Sequence, residues 1–493
     1  MSEPEARSEL VAFDPYALPP EDIEEPPATI WAALRKIGPG IILAGTIVGS
    51  GELILTTSLG AEFGYVFLWL ILFSCVIKVF VQIELGRYAI SSGKPTLGML
   101  NELPGRGRWG HPLIWWWLAM MSCTVFQLGA MTGSVGQSLN FAFPEVGARF
   151  AAVVSAVSPA LGALTKDKPE FPWAVLTCFV TMALIYRGGY RRIEWLTTLI
   201  VVSVTLITVT SAVALGYTDY PVNGRELADG LKVSAPRDGI GKAFAVFGIT
   251  GVGASELFFY PYWCLEKGYA RFVGKRDDSE AWARRARGWV KVLHLDAWVS
   301  MVVFTISTVA FYVMGAAVLR PQGLNPEGTK MIDTLSNMYV GPFGMWTRIL
   351  FLIGAGAVLF KTLYLSSAAN SRLTTDFLML TGLAKSSTAE RRVQIIRRFC
   401  LFFPSVALLL YVLVQKPKLM VTIGGLAQGA TIPMITLAAI YFRYTRVDKR
   451  VTPWKITDLL LWIAVISILI VSAYAVPTQL VDLIAKIRES MGA

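Results

Sequence analysis

The chain has 493 residues, of which 54% are hydrophobic and 16% charged. That is too apolar for a string of soluble domains, whose apolar share sits nearer half with about a quarter charged. The formal net charge of +11 is spread over alternate loops instead of forming a nucleic-acid patch, and five cysteines with only two histidines, His111 and His294, provide neither a disulfide framework nor zinc spacing.

Taken in chain order, the first 30 residues are acidic and proline-rich. They lack the basic segment and short apolar core of a signal peptide, so the sequence predicts a disordered tail up to residue 36. Eleven apolar stretches follow, near 39–60, 64–88, 113–140, 172–187, 193–216, 241–263, 292–318, 346–370, 395–414, 419–442 and 457–476. A helix of about twenty residues crosses roughly 30 Å of hydrocarbon. The expected architecture is therefore all-α: a polytopic membrane protein with a transmembrane domain over 37–476 and a short C-terminal tail over 477–493.

Basic residues concentrate in alternate loops, namely Arg87 to Arg108, Arg187 to Arg192, Lys267 to Lys291, Arg372 to Arg398 and Arg443 to Lys455. The positive-inside rule then places the N-terminus in the cytoplasm and, with an odd number of crossings, the C-terminus outside, in a cell (plasma or inner) membrane. Topology alone accounts for the basic Lys267 to Lys291 loop, with contact to anionic lipid heads as the alternative. Trp31, Trp69, Trp115, Trp116, Trp117, Trp346 and Trp454 fall near span ends and read as an interfacial aromatic belt. Cys75, Cys123, Cys178 and Cys400 lie inside spans and read as small core residues, as does Cys264 just past the sixth.

The most informative feature is an internal repeat. Span one contains Val48-Gly49-Ser50-Gly51-Glu52-Leu53 and span six contains Val252-Gly253-Ala254-Ser255-Glu256-Leu257, with four of six residues identical at an offset of 204. Each copy combines glycine, small polar residues and a carboxylate, which a continuous lipid-facing helix avoids. Five crossings separate the copies, so the second enters the membrane from the opposite side, as an inverted repeat requires. The expected fold is five plus five helices, repeat one over about 38–216 and repeat two over about 240–442, with an extra helix at 457–476. Its first and sixth helices are broken where irregular backbone can line a cavity.

A carboxylate at mid-span costs roughly 2.5–3.5 kcal/mol on insertion scales. A cation bound by Glu52 and Glu256 would compensate two of them. Alternatively, each glutamate caps the half-helix beginning beside it, and the two roles are compatible. With the Ser50 and Ser255 hydroxyls and freed carbonyls the environment is all oxygen, which suits Mg²⁺ or Mn²⁺.

The segment from Gly38-Pro39-Gly40 through the first break to Phe63-Gly64-Tyr65, then Leu68-Trp69 and more loosely Gln82, Gly86 and Ser92-Gly93, resembles the Nramp family of proton-coupled divalent metal transporters. The resemblance is good over about 38–100 and weaker over about 244–265 and 419–442. It implies the same inverted-repeat fold and a Gln offered to the metal from span ten, here Gln428, which could equally bridge two helices. The departures fall at the site. Gly49-Ser50-Gly51-Glu52 stands where the family has Asp-Pro-Gly-Asn, and Val252 to Glu256 stands where it has Met-Pro-His. Loss of the thioether implies a selectivity unlike that of the iron and manganese carriers.

The expected function is thus a secondary transporter moving a divalent cation, with protons as a coupling partner, by alternating access about Gly49, Ser50, Gly51, Glu52, Gly253, Ala254, Ser255, Glu256 and Gln428. No cofactor is implied. The alternative substrate is a small organic molecule or anion, with the glutamates as proton-coupling groups. A membrane sensor would need a larger soluble output domain. An enzyme would need a nucleophile or metal motif such as H-E-x-x-H or G-x-S-x-G, and neither is present. His294, Asp296 and Lys361 are candidates for a proton relay. Glu84 and Arg87 are spaced to pair, and Lys78 lies deep in span two with no partner readable from sequence.

Overall fold

The computed structural model describes residues 16–157, 165, 168–187, 190–234, 236–326, 330–384, 389–453 and 455–490. Ten helices among them are long and apolar enough to cross a membrane, and Phe171–Arg187 is a shorter apolar helix. Together they account for the eleven spans read from hydropathy, and no strand occurs among the described residues.

Span one consists of α1 (Pro39–Ile47), a π-helical stretch (Gly51–Thr56) and α2 (Thr57–Phe63). Spans two to five are α3 (Leu68–Ser92), α4 (Pro112–Ala142), α5 (Phe171–Arg187) and α6 (Tyr190–Ala214). Span six is divided into α7 (Ile240–Ile249) and α8 (Ala254–Lys267). Then come α9 (Glu280–Met314), α10 (Trp346–Leu380), α11 (Ala389–Val414), α12 (Pro417–Thr445) and α13 (Lys455–Ser490). The two interruptions fall at the repeated glycine motifs and at no other comparable place in spans one and six.

The broken helices are enclosed. α4 packs on α10, α11 and α12, while α9 packs on α3, α6 and α1. α7 and α12 cross closely, so that a Cβ on Gly248 would lie 2.0 Å from the Gly425 carbonyl oxygen. Outward residues such as Leu199, Leu206, Leu459 and Ile466 are exposed and apolar, as lipid contact requires when every backbone polar group is satisfied within the helix.

Three boundaries and environments differ from the sequence reading. Residues 16–36, expected to be disordered, pack against the protein: Tyr16 donates to Asp376 at 2.5 Å, Arg271 pairs with Asp22 at 3.0 Å and the Trp289 indole donates to the Glu24 carbonyl at 2.9 Å. Composition shows the acidity of this tail but not the basic surface it meets; residues 1–15 lie outside the described set. The helix of span eleven continues through the expected tail to Ser490. Trp117 is a core residue, 0% exposed and packed against Phe258 and Phe377, whereas Trp115 and Trp116 are exposed as expected. Trp454 falls outside the described residues. The Glu84–Arg87 pair forms at 3.1 Å, fully buried, with Arg443 3.7 Å from the same carboxylate.

Candidate functional site

α1 ends at Ile47, and Gly49 packs directly against span eight. A Cβ there would sit 2.2 Å from the Thr362 hydroxyl, so only glycine fits. Span six stops at Thr250, and Gly251 takes φ +65° against the backbone of Cys75, a left-handed conformation that L side chains resist. α8 then starts at Ala254 with Gly253 as its N-cap.

The repeated glutamates use these breaks in related ways. Glu52 turns one carboxylate oxygen back to the Gly49 amide at 3.3 Å and the other to the Thr308 hydroxyl of α9 at 3.4 Å. Glu256 turns Oε2 back against Gly253. Both carboxylates thus fold back towards the residue three before them, as a glutamate does in a capping box. Their surroundings differ. Glu256 lines a small cavity of about 30 Å³ between the two breaks, together with Thr46, Ser50, Ser255, Gln127 and Gln428. Glu52 is 0% exposed and lies behind the first break, outside that lining.

Gln428 accepts from the Ser255 amide at 3.0 Å, satisfying one donor of the second half-helix, and its own amide faces Gln127 at 3.4 Å. A Cβ on Gly253 would lie 2.6 Å from both Gln428 Oε1 and Glu256 Oε2, so these oxygens flank the second break and leave no room for a side chain there. The cavity thus gathers a carboxylate, three carboxamides (Gln127, Asn370 and Gln428) and several hydroxyls, with the Met131 thioether and apolar side chains completing its wall. Among the described residues no group of three or more His, Cys, Asp or Glu side chains is placed to hold a metal ion.

Each break also carries an ammonium. Lys78 of α3 donates to the Phe247 and Thr250 carbonyls at 2.5 and 2.6 Å and lies 4.5 Å from the Phe247 ring centroid. Lys361 of α10 donates to the Val48 carbonyl at 2.8 Å. They are 0% and 1% exposed. The partner that sequence could not supply for Lys78 is backbone, which has no residue signature.

The three relay candidates do not come together. His294 meets Arg87 at 2.9 Å. Asp296 accepts from the Gly38 and Gly40 amides at 2.8 and 2.7 Å and from the Tyr260 hydroxyl at 2.9 Å, which fixes the start of α1. Lys361 sits at the far end of that half-helix. Among the described residues no hydrogen bond joins any two of the three. Thr46, Thr308 and Gln127 were not singled out in the sequence, since Thr and Gln within a span are too common to point to a site.

The model of the Nramp family (natural resistance-associated macrophage protein-like) matches residues 40–478. The chain belongs to the Nramp family. Membership makes it an integral membrane transporter of the metal-ion class and not an enzyme. An uncharacterized protein of Pasteurella multocida (strain Pm70) is 24% identical over 340 residues, 68% of each chain. The manganese transporter of Eremococcus coleocola, solved with an aromatic bis-isothiourea compound, superposes with a TM-score of 0.59 at 15% identity, covering 93% of this chain and 89% of its own. Mhp1, a nucleobase-cation-symport-1 family transporter in a closed conformation with bromovinylhydantoin bound, gives 0.55 at 14% identity, with 94% and 95% covered. At these identities the likeness is one of fold, and this Nramp chain shares that fold with carriers of quite different cargo.

Proposed function

We propose that this Nramp chain moves a divalent cation, Mg²⁺ or Mn²⁺, by alternating access about the cavity between its two helix breaks, in a cell membrane with its N-terminus cytoplasmic. The observation that carries this reading is the gathering of the Glu256 carboxylate with the Gln127, Gln428 and Asn370 carboxamides and the Thr46, Ser50 and Ser255 hydroxyls in the wall of one cavity between the breaks. The oxygen donors, with neither thiolate nor imidazole among them, suit hard cations, and Met131 contributes one thioether to the wall. A single lining carboxylate leaves much of the coordination to water, which Mg²⁺ retains readily. The manganese carried by the Eremococcus relative supports the same class of cargo. Glu52, held behind the first break, is the candidate for proton coupling.

A second reading keeps the fold and gives the cavity to a small polar organic molecule. It is favoured by charge: the two breaks bury two glutamates and two lysines, equal in number, so the centre needs no metal to be neutral. Uptake of Mg²⁺, Mn²⁺ and Ca²⁺ into proteoliposomes, with an internal pH dye, separates the two. Under the first reading wild type accumulates Mg²⁺ or Mn²⁺, Glu256→Gln loses that flux, and Glu52→Gln uncouples it from protons. Folded protein that moves no divalent ion would transfer the case to the organic substrate.

A further inference from the structure

We infer that Lys78 and Lys361 are resident cations: their ammonium groups occupy the carbonyl-lined ends of the two half-helices, where a carrier of this architecture would otherwise hold a monovalent metal ion such as Na⁺. This goes beyond the proposed cargo and does not depend on it.

Breaking a helix inside a membrane leaves the last carbonyls of its first half without N–H donors and at the negative end of the half-helix dipole. Such carbonyls at broken helices commonly coordinate Na⁺ or accept protons in secondary transporters. Here α7 ends with the Phe247 and Thr250 carbonyls turned to Lys78 and accepting from it, and the Phe247 ring adds a cation–π face. Ser74, one turn earlier on the same helix, donates to the same Thr250 carbonyl at 3.1 Å. The end of α1 presents the Val48 carbonyl to Lys361. Neither side chain reaches the surface, so neither is a snorkelling lysine. The two lie on different spans, and each caps a helix break remote from it in sequence. A tethered ammonium holds its place at no translational entropy cost on each cycle, and it cannot be released to drive transport. The consequence is a cycle that neither needs nor binds a monovalent metal ion at these positions.

Thermal unfolding of the purified full-length chain tests this without reference to cargo. Wild type should melt at the same temperature in choline, Na⁺, K⁺ and Li⁺ chlorides of equal ionic strength. Lys361→Ala should melt lower in choline and recover about half or more of the loss, saturably, with methylammonium or Na⁺, as a ligand that binds only the folded state must produce. Lys361→Met, which fills the space without charge, should also melt lower but gain nothing from either ion. Lys78→Ala should behave as Lys361→Ala does. Recovery of folded alanine variant only from preparations containing methylammonium or Na⁺ counts as the same rescue. Saturable stabilisation of wild type by Na⁺, an alanine variant that no small cation restores, or Lys361→Met as stable as wild type would each overturn the inference.

Discussion

Replacing Asp296 by alanine should loosen the start of the first half-helix and cost this protein about 3–5 kcal/mol of stability. The carboxylate is 0% exposed and accepts three hydrogen bonds, from the Gly38 and Gly40 amides and the Tyr260 hydroxyl. A hydrogen bond to a charged group contributes about 1.5–3 kcal/mol, and a buried donor left without an acceptor costs about 1–3 kcal/mol. Three independent bonds would give roughly 5–9 kcal/mol on that scale. They share one carboxylate, however, so the terms do not add, and water entering the vacated volume would serve some of the donors. Asp296→Asn keeps one acceptor oxygen and should fall between alanine and wild type. The assay is thermal unfolding in detergent, followed by the loss of monodisperse protein on size exclusion, alongside the proteoliposome pH signal. An alanine variant melting with wild type would refute the anchoring role. An asparagine variant that melts normally but moves no protons would instead return Asp296 to the relay read from the sequence.

Other outcomes follow from packing and charge. Gly248→Ala should separate α7 from α12 at a cost of about 1–3 kcal/mol or more, because the new Cβ would meet backbone at 2.0 Å, whereas Gly354→Ala, with nothing within 4 Å, should be neutral or slightly stabilising; paired melting curves check both. Cys75, Cys178, Cys264 and Cys400 are buried and only Cys123 is partly exposed, so a membrane-permeant maleimide should label at most one thiol rapidly in native protein and all five after denaturation. In the segment between α12 and α13, Asp448 accepts from the Arg450 guanidinium at 3.0 Å and pairs with Arg276 at 2.9 Å, and the Arg450 contact foremost draws its carboxyl down to about 2. A carboxyl depressed on folding contributes stability that is full above its unfolded value near 4 and is lost as pH falls through the folded one. The difference in melting temperature between wild type and Asp448→Asn should therefore hold from pH 7 to about 4 and shrink towards pH 2; a gap independent of pH over that range would deny the ion pair.

What the sequence determined by itself is set by local physics. Lipid forces each crossing to be an apolar helix of fixed minimum length, so the spans are countable from hydropathy. The same constraint makes a Gly-Ser-Gly-Glu stretch inside a span conspicuous, which is why both breaks and their inverted relation were legible at Gly49 and Gly253. The ion pair of Glu84 and Arg87 was legible because helix geometry brings residues three apart together.

The tertiary structure decided what depends on distant partners. The repeat treats Glu52 and Glu256 alike, yet the packing of α9 against the first break seats Glu52 beside Thr308, while the gap among α4, α10 and α12 leaves Glu256 on the cavity wall. Lys78 and Lys361 bond to backbone carbonyls that no residue type announces. Asp296 stands near the start of its apolar span, where a solvated acid is ordinary, and becomes an anchor only because Gly38 and Gly40 of another helix arrive beside it. Helix length and interruption are dictated by the chain's own composition. The direction each polar side chain takes at a break is dictated by which remote helix leaves room for it.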